Sequence, residues 1–127
     1  MIRNAIYTIL AADAGVIALT TNISHGLMNQ ETQMPFVTFL VYDTDPNDTK
    51  DTLSQTDIIY LSVSCISQNN LNAVAIAEAV RTALDGYTGT VDSTVIESST
   101  FLKTRDGWIQ DAKAFQATVE FQLFIKR

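Results

Sequence analysis

The apolar positions at the start of the chain fall at helical spacing. Ile2, Ile6, Ile9 and Leu10 share one side, and Arg3, Asn4 and Thr8 fall away from it, which predicts a short amphipathic helix from Ile2 to Asp13. That helix is expected to stop at Asp13-Ala14-Gly15, with Gly15 in the left-handed cap conformation. Val16, Ile17 and Leu19 then read as an apolar turn tucked under the core. Ile23 to Leu27 is a weak strand, followed by a polar loop through Gln33, and Pro35 starts the next strand, a position that tolerates proline. Phe36 to Tyr42 is apolar on both faces: Phe36, Leu40 and Tyr42 on one, Val37, Phe39 and Val41 on the other. This is the pattern of a central strand covered on both sides.

Asp43 to Thr56 is polar, rich in Asp and Thr, and contains Pro46, so it reads as a long connection of the kind that often carries function. Asp57 to Ser67 alternates, with Ile59, Leu61, Val63 and Cys65 on one face and Ile58, Tyr60, Ser62, Ser64 and Ile66 on the other. Asn69 or Asn70 is a suitable N-cap for a helix over Leu71 to Asp85. Its polar stripe is narrow (Glu78, Arg81, Thr82, Asp85), and the rest is apolar and rich in alanine, suited to close packing on a sheet. Glu78 and Arg81 are spaced to pair, and Gly86 is placed to cap. Thr90 to Lys103 holds one or two strands, including Val95-Ile96 and Phe101-Leu102, and Asp106-Gly107 suits a hairpin turn within Thr104 to Asp111. In the last strand Phe115, Ala117, Val119, Phe121, Leu123 and Ile125 face one way. Gln116, Thr118, Glu120 and Gln122 face the other, with Phe124 breaking the rule. One sheet face is thus expected in the core and the other partly wet or in an interface.

These elements give the order α-β-β-β-α-β-β-β. The expected fold class is α+β, a mixed, mainly antiparallel sheet with two helices packed on it, in one domain spanning residues 1–127. The chain is 46% hydrophobic but only 17% charged, against about a quarter in ordinary soluble domains. Either some surface is meant for burial against other chains, or the protein is simply small and somewhat apolar. The net charge of −6, with 8 scattered basic residues, opposes tight binding to DNA or RNA, whose affinity comes from neutralised phosphates. It does not oppose letting DNA slide past an acidic wall.

Candidate chemistry is sparse. His25 is the single histidine, with no marked nucleophile or orienting acid beside it. Cys65, the single cysteine, sits in an apolar alternating run, excludes an internal disulfide and reads as a buried thiol. Asp43, Asp45 and Asn47 match three calcium-loop positions, but Asp48 stands where the loop needs glycine and Ser54 where it needs glutamate. The three or four Cys/His ligands of a structural zinc site and a glycine-rich phosphate loop are absent from the sequence. No catalytic, metal or cofactor-binding residue is therefore expected. The chain shows no signal-peptide pattern and no apolar run near ~18 residues, so it is expected in a cytoplasm or in a particle assembled there, without a membrane span. The candidate interface positions are Asp43, Asp45, Asp48 and Asp51 in the acidic loop, which could also be solvated filler, and Trp108. An exposed tryptophan suits an interface hot spot, and local packing over the hairpin is the alternative.

Three segments carry a family resemblance: AIYTILAADAGVIALT (Ala5 to Thr20), MPFVTFLVYD (Met34 to Asp43) and AIAEAVRTALDGYTG (Ala75 to Gly89). With the closing FQATVEFQLFIKR (Phe115 to Arg127), they resemble the tail completion, or tail terminator, proteins of long-tailed bacteriophages, prophages and gene transfer particles. The resemblance implies a non-enzymatic structural virion protein that forms a ring, usually a hexamer. Such a ring caps the tail tube, ends its elongation and joins it to the head connector. The implied partners are further copies of itself, the tail tube protein, the head-tail connector protein, and DNA passing through the lumen without specific binding. The implied location is the tail at the head-tail junction, after assembly in a bacterial host cytoplasm. The acidic Asp43 to Thr56 loop departs from the family pattern. A head-tail joining or minor tail protein, and a small-molecule-binding regulatory α+β domain, are the alternatives.

Overall fold

The computed structural model describes residues 2–19, 23–25, 35–46, 56–91, 93–109 and 114–126. In chain order the elements are α1 (Ile2–Ala12), α2 (Ala14–Ile17), β1 (Ile23–His25), β2 (Phe36–Pro46), β3 (Thr56–Ser67), α3 (Asn70–Leu84), β4 (Gly89–Val91), β5 (Thr94–Ile109) and β6 (Ala114–Lys126). The strands form one sheet in the order β1-β2-β3-β6-β5-β4. Only β1 and β2 are parallel; every other neighbouring pair is antiparallel, so the sheet is mixed and mainly antiparallel as expected.

The core lies between one face of the sheet and the helices. Val37 and Phe39 from β2, Leu61, Val63 and Cys65 from β3, and Phe121 and Leu123 from β6 are buried there. Opposite them α1 contributes Ala5, Ile6, Ile9 and Leu10, and α3 contributes Ala73, Ile76, Ala77, Val80 and Leu84. The α3 set repeats at helical spacing, and its alanines let the axis approach the sheet closely. Asn69 starts α3 by accepting the Leu71 N–H at 2.8 Å. Gly86 follows its end at φ 76°, where a side chain would be strained, and donates its N–H to the Ser99 carbonyl at 2.8 Å. The cap thereby ties α3 to β5.

Several expectations change. α1 ends at Ala12, and Asp13 caps a second short helix by accepting the Val16 N–H at 3.0 Å. Among the described residues there are thus three helices rather than two. Gly15 lies inside α2 and supplies space, not a left-handed cap: a Cβ there would stand 3.2 Å from Asp13 Oδ1 and 3.8 Å from the Ala79 Cβ. The acidic connection is shorter than expected, because β2 continues to Pro46 and only residues 47–55 lie between the strands, outside the described residues. Asp43 and Asp45 are therefore strand residues, opposite Tyr60 and Ile58.

The turn at Asp106-Gly107 is absent. β5 runs straight through it, with Asp106 opposite Ala117 and Gly107 opposite Gln116. A local turn preference of one dipeptide is outweighed by a ladder of backbone bonds with β6. Arg81 does not pair with Glu78; its guanidinium lies 3.9 Å from the centroid of the Phe101 ring. Finally, among the described residues nothing packs over the second face of β2. Its Leu40 and Tyr42 stand exposed on the face away from the helices.

Candidate functional site

That second sheet face has no helix on it among the described residues. Register places Leu40 opposite Ser62, Ser62 opposite Glu120, and Glu120 opposite Lys103, so these side chains form one row across four strands. A bulge at Tyr42 sets Val41 against Leu61 but Asp43 against Tyr60, which turns Asp43 onto this outer face. Leu40, Tyr42, Ser62, Arg105 and Glu120 line a shallow hollow of about 190 Å³.

Glu120 sits at its floor. A carboxylate on the outer face is expected to be wet, yet its side chain is only 6% exposed. The Tyr42 hydroxyl donates to Oε1 at 2.9 Å. Arg105 Nη2 lies 2.9 Å and Lys103 Nζ 3.9 Å from Oε2. Oε2 receives no well-directed hydrogen bond, so those two cations compensate it chiefly through charge. Partial burial, together with the hydrogen bond to Glu120, pushes the Tyr42 phenol above its ordinary value. The cluster holds Tyr42 over the sheet, where its ring lies 6.1 Å from that of Tyr60. It is a positioned polar floor beneath the exposed Tyr42 ring.

The predicted interface residues fall in separate places. Asp43 is exposed, and its carboxylate accepts the Thr44 N–H at 2.9 Å. Asp45 follows on the same strand. Asp48 and Asp51 lie outside the described residues. Trp108 is on β5 rather than in a turn, opposite Phe115, with the rings edge to face at 4.8 Å. It remains 53% exposed, so it packs locally and still presents a large apolar surface. Glu120, Arg105 and Tyr42 escaped the sequence reading. Their meeting depends on the β5–β6 register, and a turn at Asp106-Gly107 would have set Arg105 opposite Trp108 instead of Thr118.

His25 lies on β1, in register with Phe39 of β2. Cys65 is fully buried, and burial pushes its thiol from 9.0 up to about 12. The folded state favours the neutral thiol, so this contribution to stability is complete below pH 9 and is lost as the pH rises towards 12. At pH 8 an aromatic disulfide reagent is expected to leave native protein unmodified and to titrate one thiol after denaturation. Stoichiometric labelling of native protein would show that this site opens. Among the described residues, no three His, Cys, Asp or Glu side chains gather as a metal site, and no helix is long and apolar enough to cross a membrane.

Comparison with known proteins adds a family. A family profile described as "Tail completion protein gp17" matches residues 4–126. The chain belongs to the tail completion protein gp17 family. This tail completion protein is therefore a structural component of a phage or phage-like virion tail. Among solved structures, a chain from the "Virion of native gene transfer agent (GTA) particle" superposes with a TM-score of 0.83 at 20% identity, covering 98% of this chain and 94% of that one. At that identity the likeness is one of fold. No curated protein matches the sequence.

Proposed function

We propose that this tail completion protein forms a ring, of six copies, that caps the tail tube, ends its elongation and offers a surface to the head connector. The observation that carries the reading is the sheet face that no helix covers among the described residues. In a chain of this family, Leu40 and Tyr42 on that face are both more than 40% exposed, and charged residues are scarce in the chain as a whole. A globule of this length has a diameter of roughly 36 Å, and six touching spheres enclose a hole one sphere wide. That leaves a lumen for DNA, and an acidic chain gives phosphates little to hold. The hollow beside Glu120, at about 190 Å³, is smaller than ordinary ligand sites of about 300–1,000 Å³, so that hollow by itself does not support the small-molecule reading.

Electron microscopy of the purified protein, alone and with tail tube protein, tests the reading. Rings, or tubes ending in a collar, are expected; a monomer under both conditions rejects it. Capture of the connector without any effect on tube length would point instead to a head-tail joining protein. Replacing Asp43, Asp45, Asp48 and Asp51 together by Asn is expected to leave the free energy of unfolding within about 0.5 kcal/mol of wild type while impairing ring docking or DNA passage. Normal yields of infectious particles from that variant would reduce the acidic segment to solvated filler.

A further inference from the structure

The lower half of β5 pairs with β6 on one edge, and among the described residues its other edge has no strand beside it. Its outer neighbour β4 pairs only with Thr94–Ile96. The next stretch is closed by the α3 cap: Ser99 accepts from the Gly86 N–H, and the Phe101 N–H donates to Asp85 Oδ1 at 3.2 Å. Beyond the bulge between Phe101 and Lys103, nothing among the described residues pairs with the outer edge. Antiparallel alternation then turns the backbone N–H and C=O groups of Thr104, Asp106 and Trp108 away from β6. Residues 102–108 are also exposed in side chain, on both faces of the sheet. An open edge of this length is a template for an added strand, and its charges, Lys103, Arg105 and Asp106, discourage indiscriminate pairing.

We propose that this edge receives β1, at the opposite end of the sheet, from a second copy of the chain. This rests on the ring reading and names the surface that closes the ring. Three features single out that occupant. First, a ring needs a patch that meets a different patch on its neighbour, and β5 and β1 flank opposite sides of one sheet. Second, direction fits: following the pairings across the sheet, β1 runs antiparallel to β5. A neighbour generated by rotation about an axis along the strands keeps that sense, which allows the narrow antiparallel ladder. Third, height fits. Ser24 lies in the row of Thr38, Ser64, Thr118 and Arg105, so β1 stands level with Thr104–Asp106, the open segment. The short β1 below and the short β4 above give the two sides of the sheet complementary steps.

Trp108, the single tryptophan, reports on this edge directly. On ring assembly of the wild-type chain its emission is expected to move to shorter wavelength, and its quenching by acrylamide to fall severalfold. Thr104→Pro deletes an N–H that the β5–β6 ladder does not use. It is expected to keep the native circular dichroism while weakening assembly by about tenfold or more. Rings in which Trp108 stays fully quenchable, or Thr104→Pro rings that form like wild type, overturn the proposal and leave the ring reading standing. Protection of Trp108 only when tube protein is added overturns it too, by assigning the edge to the tube. A wild-type chain that never forms rings removes both. If Thr104→Pro fails to fold, the wild-type quenching measurement decides.

Discussion

Phe121→Ala is expected to lower the free energy of unfolding by about 3–5 kcal/mol, as for other fully buried aromatic truncations. Phe121 is fully buried on β6, at the centre of the sheet, and its ring meets Phe101 edge to face at 6.2 Å. Its strand is hydrogen-bonded to β3 on one side and β5 on the other, so the backbone cannot collapse into the cavity. Phe121 also stands opposite Leu61, which is fully buried and would lose contacts with it. Such a loss is a large share of the roughly 5–15 kcal/mol that holds a domain folded. Urea titration followed by far-ultraviolet circular dichroism measures it. A change under about 1 kcal/mol would mean that this side of the core repacks freely, contrary to the burial described above.

Arg105→Ala is expected to lower stability by about 1–3 kcal/mol, because a buried carboxylate would lose the nearer of its two cations. Lys103→Ala is expected to cost less than about 0.5 kcal/mol, since the ammonium lies farther away and largely in solvent. The asymmetry follows from the distances to Glu120 Oε2, 2.9 Å for Arg105 and 3.9 Å for Lys103. The Arg105 side chain is itself 64% exposed, so water entering behind it softens the loss and argues for the lower part of the range. In a Glu120→Leu background there is no buried charge to compensate, and Arg105→Ala is expected to change stability by less than about 0.5 kcal/mol. The double-mutant cycle therefore isolates the pair. Equal losses with and without Glu120 would assign Arg105 a packing role instead.

Much of the fold could be read from single segments, because there the local signal and the tertiary contact agree. β3 and β6 alternate cleanly, and their apolar rows are the core rows. α3 begins at an asparagine cap and ends before a glycine in the left-handed region, both visible in the sequence. What could not be read depends on partners distant in sequence. Asp106-Gly107 favours a turn locally, yet β6 supplies a ladder that keeps it extended. Asp43 and Asp45 look like loop residues until β3 pairs with them and the bulge at Tyr42 resets the pleat. Leu40 and Tyr42 are apolar, the mark of a second covered face, but among the described residues nothing in the chain covers it. The floor of the candidate site was the least visible part. Glu120 meets Tyr42 and Arg105 only through the register of three neighbouring pairs of strands.

The lone thiol of Cys65 has a consequence beyond packing. A virion component is made among reducing metabolites and then released into oxygenated surroundings, where accessible cysteines crosslink or climb to higher oxidation states. Here the sulfur is sealed beneath the helices and stays protonated at every ordinary pH. The same molecule can therefore pass from one chemical climate to the other without ageing at that sulfur, and a particle carrying it needs no antioxidant for that position.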